Sequence, residues 1–597
     1  MQTLPFGTWP SSISEKKLTE NALRFTEIAT DQNKLYWLEG RPEEKGRVAL
    51  MTVKGEIAPP TTNIRSRVHE YGGGAFAVLH DKIVYYNDTD KCVYMDHKPL
   101  TTPEMGRFAD FCIDIERNCI YAVREISQTN TLARIDFNGT VTDIQSGADF
   151  YSSPVLGHNM LAWITWNHPN MPWENTSLWK WDLKSKPVCV KKNASIQGPF
   201  WTSDLHYLSD EGGYWNLYTQ DGPVFTAKAD LGYPPWILGI KRTALFQGKI
   251  AYIRTENGVD SIAIFDPVTH ENTQLNLPFT AISAIAASDD FIYAIAATTR
   301  KSSAIVKIDP FTLTTETIRQ SQACCLQDNY ISLPVPISFT NRSSDLVHLF
   351  FYPPTNPHCC GPETEKPPLI LRCHGGPTAH AMPAFNLEVQ YWTSRGFALA
   401  DLNYGGSSGY GKAYRERLNG NWGIVDVYDA LDAAEHLASK GLVDPKRMVV
   451  KGGSAGGYTA LAAITFGQTF AAAVSLYGIA DLEALTHTTH KFESHYNDTL
   501  IGPYPQSQHL YQDRSPIHHL DKIHRPVLLL QGTEDKIVPP AQAQMLYEAL
   551  TKKGIPCTYH LFEGEGHGFR SAATIQKAIE LENTFYMQLF NITDKSR

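Results

Sequence analysis

A short apolar run recurs seven times in the first half of the chain, and this repetition constrains the fold more than any other feature. The runs start at Leu35, Ile83, Ile120, Leu161, Leu205, Ile250 and Ile292, and each is about four residues of mostly aliphatic and aromatic type. Their starts lie 48, 37, 41, 44, 45 and 42 residues apart, around the period of four-stranded propeller blades. Most are followed by a second β-rich run that closes on Asp96, Asp136, Asp182, Asp266 or Asp309, which reads as strand, turn, strand. Ten of the twelve tryptophans precede residue 330, where packing between blades calls for large flat side chains. Residues 26–334 are therefore expected to form an all-β seven-bladed β-propeller, with residues 1–25 as a small helical lead-in. A β-sandwich array would space its strands more closely and less regularly.

After Pro334 the pattern changes to short buried strands alternating with amphipathic helices. Strands are expected at 369–371, 397–402, 448–450, 471–476, 527–530 and 558–562, and helices at 387–394, 424–439, 458–466, 541–551 and 572–589. Within 424–439, Val427, Leu431, Ala434 and Leu437 recur at helical spacing, opposite Asp426, Asp429 and Glu435. This alternation predicts a doubly wound, mostly parallel sheet over residues 335–597, giving a two-domain chain.

The 597 residues suffice to bury large cores without disulfides or metals. Lys and Arg number 53 against 62 Asp and Glu, a net charge of −9 with no basic tract, so nucleic acid is not expected as a partner. No apolar stretch approaches the ~18 residues of a membrane helix. Residues 1–17 lack the apolar core of a signal peptide, so a cytoplasmic address is expected. The ten cysteines, including the adjacent pairs Cys324-Cys325 and Cys359-Cys360, fall outside zinc-ligand spacings and read as free thiols. A homo-oligomer is compatible with all of this.

Gly452-Gly453-Ser454-Ala455-Gly456 matches G-x-S-x-G, the nucleophile elbow, in which small neighbours allow a strained strand-to-helix turn that exposes the serine hydroxyl. The pattern alone is weak, and Gly405-Gly406-Ser407-Ser408-Gly409 matches it too. Only Ser454 stands between an expected strand and an expected helix, so Ser407 reads as loop. A serine hydroxyl needs an imidazole base, and the imidazole needs a carboxylate to fix its tautomer. Asp535 and His567 follow in the hydrolase order, each in a loop after a strand, where open parallel sheets build their sites. Glu534 is the competing carboxylate. The Ala455 N–H is one oxyanion donor by position, and His374-Gly375-Gly376-Pro377 is similar to the HGGG-type loop of esterases.

Taken together, Asn403-Tyr404 with Gly405–Gly411, Gly420-Asn421-Trp422-Gly423 with Asp426, the Ser454 elbow, Asp535 and His567 resemble the catalytic domain of the prolyl oligopeptidase family of serine peptidases. The resemblance extends to Arg67-Val68-His69-Glu70-Tyr71 and to the stretch from His168 to Trp173, and is strongest to the bacterial acylaminoacyl-peptidase and dipeptidyl-peptidase-like members. It implies an α/β-hydrolase domain capped by the propeller, short peptides as substrates, and no cofactor or metal. It also implies that the Tyr404 hydroxyl is the second oxyanion donor, and that Tyr458, Val474, Tyr477, Ile537 and Val538 surround the side chain preceding the scissile bond. Val474 and Ile537 read equally as core. Glu70 reads as an anchor for a peptide amino terminus or as a structural hydrogen-bond acceptor. Gly405 is a departure, since relatives often carry Arg there. An esterase or amidase acting on small acyl compounds would use the same triad.

Overall fold

The computed structural model describes residues 1–322 and 326–592, so Cys324 and Cys325 lie outside the described residues. The other eight cysteines are free. Each of the seven apolar runs is the second strand of a four-stranded antiparallel sheet, and the seven sheets follow one another as blades. A second strand has a hydrogen-bonded neighbour on both edges and a blade against each face, which is why it reads as nearly continuous apolar sequence. The runs that close on aspartate are the third strands.

The ring closes without exchanging a strand. Ile28, Trp37 and Met51 of the first blade pack on Ala284, Tyr293 and Ile295 of the last. Arg319 donates to the buried Glu39 carboxylate at 3.0 and 3.2 Å, and Leu23 N–H donates to Ser321 O at 2.7 Å. The innermost strands of blades one, three, four, five and seven each carry a register shift, the mark of a bulge that bends a strand at a barrel-like rim. Glu27 sits in the first of these bulges.

A glycine strap crosses the ring on the side facing the second domain. Gly73 bridges Leu238, and Leu238 N–H donates to Gly72 O at 2.8 Å, joining the approaches to blades two and six, which are not neighbours. A Cβ at Gly73 would lie 2.2 Å from Leu238 O, and its φ is +86°, so only glycine fits. Beyond the strap, the propeller channel forms a cavity of about 650 Å³ lined by innermost strands.

The second domain is built on an eight-stranded sheet in the order Val335–Thr340, Leu346–Tyr352, Ala398–Asn403, Leu369–Cys373, Met448–Gly453, Ala472–Leu476, Val527–Gly532, Cys557–Phe562. The first two strands are antiparallel additions, and the remaining six are parallel. Helices Val425–Ser439, Ala455–Phe466 and Ala541–Lys552 cover one face. Leu387–Thr393 and Ala572–Leu589 cover the other. This is a doubly wound α/β-hydrolase sheet under a propeller.

The chain start departs from expectation. Its only helical residues are the 3-10 turn Lys16–Leu18. Gln2–Thr3 pairs in parallel with Cys359–Cys360, and Ile13 is buried in the catalytic core with Trp392 and Tyr586. Among the described residues no helix is long and apolar enough to cross a membrane.

Candidate active site

Ser454 occupies the sharp turn between the strand Met448–Gly453 and the helix Ala455–Phe466, with φ +56° and ψ −125°. A non-glycine residue there costs roughly 1–3 kcal/mol. The two motif glycines make the turn possible, because a Cβ at Gly452 would meet Gly456 at 2.2 Å and one at Gly456 would meet Cys373 O at 2.1 Å. The turn is locked from the next strand, since Ser454 N–H donates to Leu476 O at 2.9 Å and Tyr477 N–H donates to Leu530 O at 2.7 Å. Tyr477 is itself held at φ +40°, so two adjacent strand ends carry strain directed at one point.

Asp535 is 2% exposed. Its Oδ1 accepts from the N–H groups of Ile537 and Val538, both at 2.9 Å, and its Oδ2 accepts from Gln531 Nε2 at 3.2 Å. The same Oδ2 lies 2.9 Å from His567 Nδ1. A carboxylate oxygen there accepts a hydrogen bond from Nδ1–H and so keeps the proton on Nδ1, which leaves Nε2 as the free base nitrogen. Ser454 and His567 line one cavity of about 700 Å³. The Tyr477 ring stands edge-on to His567 at 5.0 Å.

The loop after the strand Leu369–Cys373 brings Gly375 against the nucleophile: a Cβ there would lie 3.0 Å from Gly453 O and 3.5 Å from Ser454 Cβ. The Tyr404 hydroxyl, expected to stabilise the oxyanion, is placed otherwise. The residue is fully buried, and its hydroxyl donates to His374 O at 3.0 Å, with Pro377 O at 3.3 Å. Tyr404 does not border the cavity that holds Ser454. The hydroxyl belongs to the scaffold of the Gly375 loop because the strand Ala398–Asn403 delivers it beneath that loop. His374 shares this scaffold: burial pushes it down to about 4, and its Nε2 lies 2.7 Å from Ser407 Oγ. The second G-x-S-x-G serine is thus buried beside a neutral imidazole.

Of the residues expected around the substrate side chain, Tyr477 borders the cavity. Tyr458 points into the core, donating its hydroxyl to Arg514 O at 2.9 Å, and Val474 is fully buried between the sheet and its helices. Ile537 and Val538 pack toward the core and serve Asp535 through their backbone. Glu70 pairs with Arg107 Nη1 at 2.7 Å. Residues the sequence reading passed over form much of the cavity wall: Tyr71 and Trp236 from the propeller, Met382 from the loop after Gly376, and a charged floor. On that floor Arg372 grips Asp401 at 2.5 and 2.7 Å, and Lys451 bridges Glu388 and Glu582 at 2.6 and 2.7 Å. Tyr71 stands beside Glu70 in a stretch already singled out; the others carried no local signal.

Comparison with known families matches residues 383–593 to the prolyl oligopeptidase family. A puromycin-hydrolyzing peptidase of Mycobacterium tuberculosis is 35% identical, with a TM-score of 0.95 over 99% of this chain and 98% of that one. Dipeptidyl peptidase family member 6 of Caenorhabditis elegans is 35% identical over 209 residues, 34% of this chain and 28% of that protein. An acylamino-acid-releasing enzyme of Arabidopsis thaliana is 33% identical over 213 residues, 34% of this chain and 27% of its own length. The last two matches therefore span less than a third of those relatives.

Proposed function

The chain belongs to the prolyl oligopeptidase family of serine peptidases, and from that premise we propose that it hydrolyses short peptides through an acyl-enzyme on Ser454. His567 Nε2 takes the Ser454 proton as Oγ attacks the scissile carbonyl, and Asp535 holds the imidazole in register. The N–H groups of Gly375 and Ala455 receive the developing oxyanion. His567 then protonates the departing amine, and water releases the acyl group by the same steps in reverse. The observation that carries this reading is the Asp535–His567 hydrogen bond at a cavity that also holds Ser454 and is walled by Tyr71 and Trp236 of the propeller.

Puromycin, which the Mycobacterium tuberculosis relative hydrolyses by its name, and unmodified tripeptides are the substrates to try. Ser454→Ala should abolish fluorophosphonate labelling and turnover of both while leaving the melting temperature near that of the parent. Labelling that survives in Ser454→Ala removes Ser454 from its role. Turnover of acyl esters without turnover of peptides would make the enzyme an esterase.

A further inference from the structure

Four arginines meet where the propeller faces the loop that carries His567. Arg24 opens the first strand of blade one, Arg65 and Arg67 lie in the connection to blade two, and Arg570 follows His567 by three residues. Arg24 Nη2 donates to Phe569 O at 3.1 Å, and the Phe569 ring is 5.2 Å from that of the cavity residue Tyr477. Arg570 rests its side chain on Gly46 of blade one.

The surrounding carboxylates are already engaged. Asp88 holds Arg67 at 3.1 Å and also Lys91. Glu70 holds Arg107, and Glu565 accepts the Arg570 and Ser571 backbone N–H groups at 3.0 and 2.9 Å. Among the described residues no carboxylate pairs with the side chains of Arg24, Arg65 or Arg570. Burial, with the charges of Arg570 and Arg67, pulls Arg65 down to about 9, and burial likewise lowers Arg570, with Arg24 and Arg67 adding to it. Arg65 and Arg570 are half-buried while Arg24 and Arg67 are exposed beside them, and like charges gathered in this way are costly unless an anion joins them.

We propose that these arginines form a carboxylate-binding subsite for the C-terminal α-carboxylate of the peptide, on the leaving-group side of Ser454. This rests on the peptidase reading above: His567 protonates the departing amine, so the leaving peptide lies on the side of His567, and Arg570 follows in the same loop, beyond the cavity wall that His567 and Gly568 form. Guanidinium forks suit a carboxylate in two-pronged geometry.

Trialanine and trialanine amide differ in the group at issue. The parent enzyme should favour the free acid about tenfold in kcat/KM, as a charge-assisted hydrogen bond allows. In the double variant Arg65→Gln, Arg570→Gln that ratio should fall to near one, while Arg65→Lys with Arg570→Lys should keep part of it. Inorganic phosphate should compete with trialanine in the parent and inhibit the amide less. A parent ratio near one, a ratio that survives in the folded double Gln variant, or equal inhibition of both substrates by phosphate each overturns the subsite. An amide ending in glutamate that regains the advantage would assign the arginines to an acidic side chain and overturn the α-carboxylate. If the double Gln variant does not fold, the parent ratio and the phosphate pattern decide. If neither peptide is cleaved by an enzyme that still labels at Ser454, the peptidase reading itself fails and takes the subsite with it.

Discussion

Tyr404 donates its hydroxyl to the His374 carbonyl, so Tyr404→Phe unties the Gly375 loop rather than deleting a donor to the oxyanion. The loss should appear as about 1 kcal/mol of stability, the usual worth of one hydrogen bond. The fall in kcat should stay below the roughly 10²–10³ expected for removing an oxyanion donor. Steady-state kinetics beside a thermal melt test this, and a hundredfold drop in kcat with an unchanged melt would restore the hydroxyl to the oxyanion. The contrast between Ser454 and its neighbours explains what a sequence discloses at this scale. Ser454 is marked by two glycines that stand within two residues of it, Gly452 keeping clear of Gly456 and Gly456 keeping clear of the Cys373 carbonyl. Tyr458, Val474 and Val538 are written in the same apolar alphabet as any pocket residue. Whether each faces the cavity or the core depends on which side of a helix or strand is turned to the substrate, and that is decided by packing far away in sequence.

Glu27, in the bulge of the first inner strand, shows the same principle for whole elements. Burial raises its carboxyl to about 8, against the hydrogen bond from Ala75 N–H and the charge of Lys241. A carboxyl raised in the folded state binds more protons there than in the unfolded chain, so stability falls as pH climbs from the unfolded value near 4.5 through about 8. Glu27→Gln keeps an acceptor for Ala75 and removes the titration; its melting temperature should exceed the parent's at pH 9 and vary less between pH 5 and 8. Equal slopes in parent and variant would refute this. The seven second strands were legible because both faces and both edges are covered. The inner strands are broken by bulges, and several outermost strands are two residues long, as at Gly55–Glu56, Lys98–Pro99 and Gly222–Pro223, too short to show alternation. The helices Leu482–Thr488, Tyr496–Leu500 and Gln508–Arg514 also went unread. They are short and mostly polar, and owe their order to contacts distant in sequence: Gln508 and Gln512 of the third donate to Glu483 of the first, and the Tyr496 ring of the second stands edge-on to Trp173 and Trp236 of the propeller.

At the scale of the molecule, two cavities of about 700 and 650 Å³ lie on either side of the Gly72–Gly74 strap. Tyr71 and Trp236 border the first and Leu238 borders the second, so the channel through the blades ends at a hydrogen-bonded barrier before it reaches Ser454. That leaves the gap between the two modules as the expected route to the nucleophile. Turnover should fall steeply between tripeptides and peptides of about thirty residues, and casein should survive; digestion of casein at the tripeptide rate would contradict the capped site. The Leu23–Ser321 contact bears on how such a molecule is assembled. The chain enters and leaves the ring at neighbouring points, while Gln2–Thr3 and Ile13 already belong to the hydrolase. In the language of genetic grafting, the propeller is a cassette inserted into a discontinuous enzyme, and a linker of a few residues across that junction is all the topology requires to exchange one cap for another.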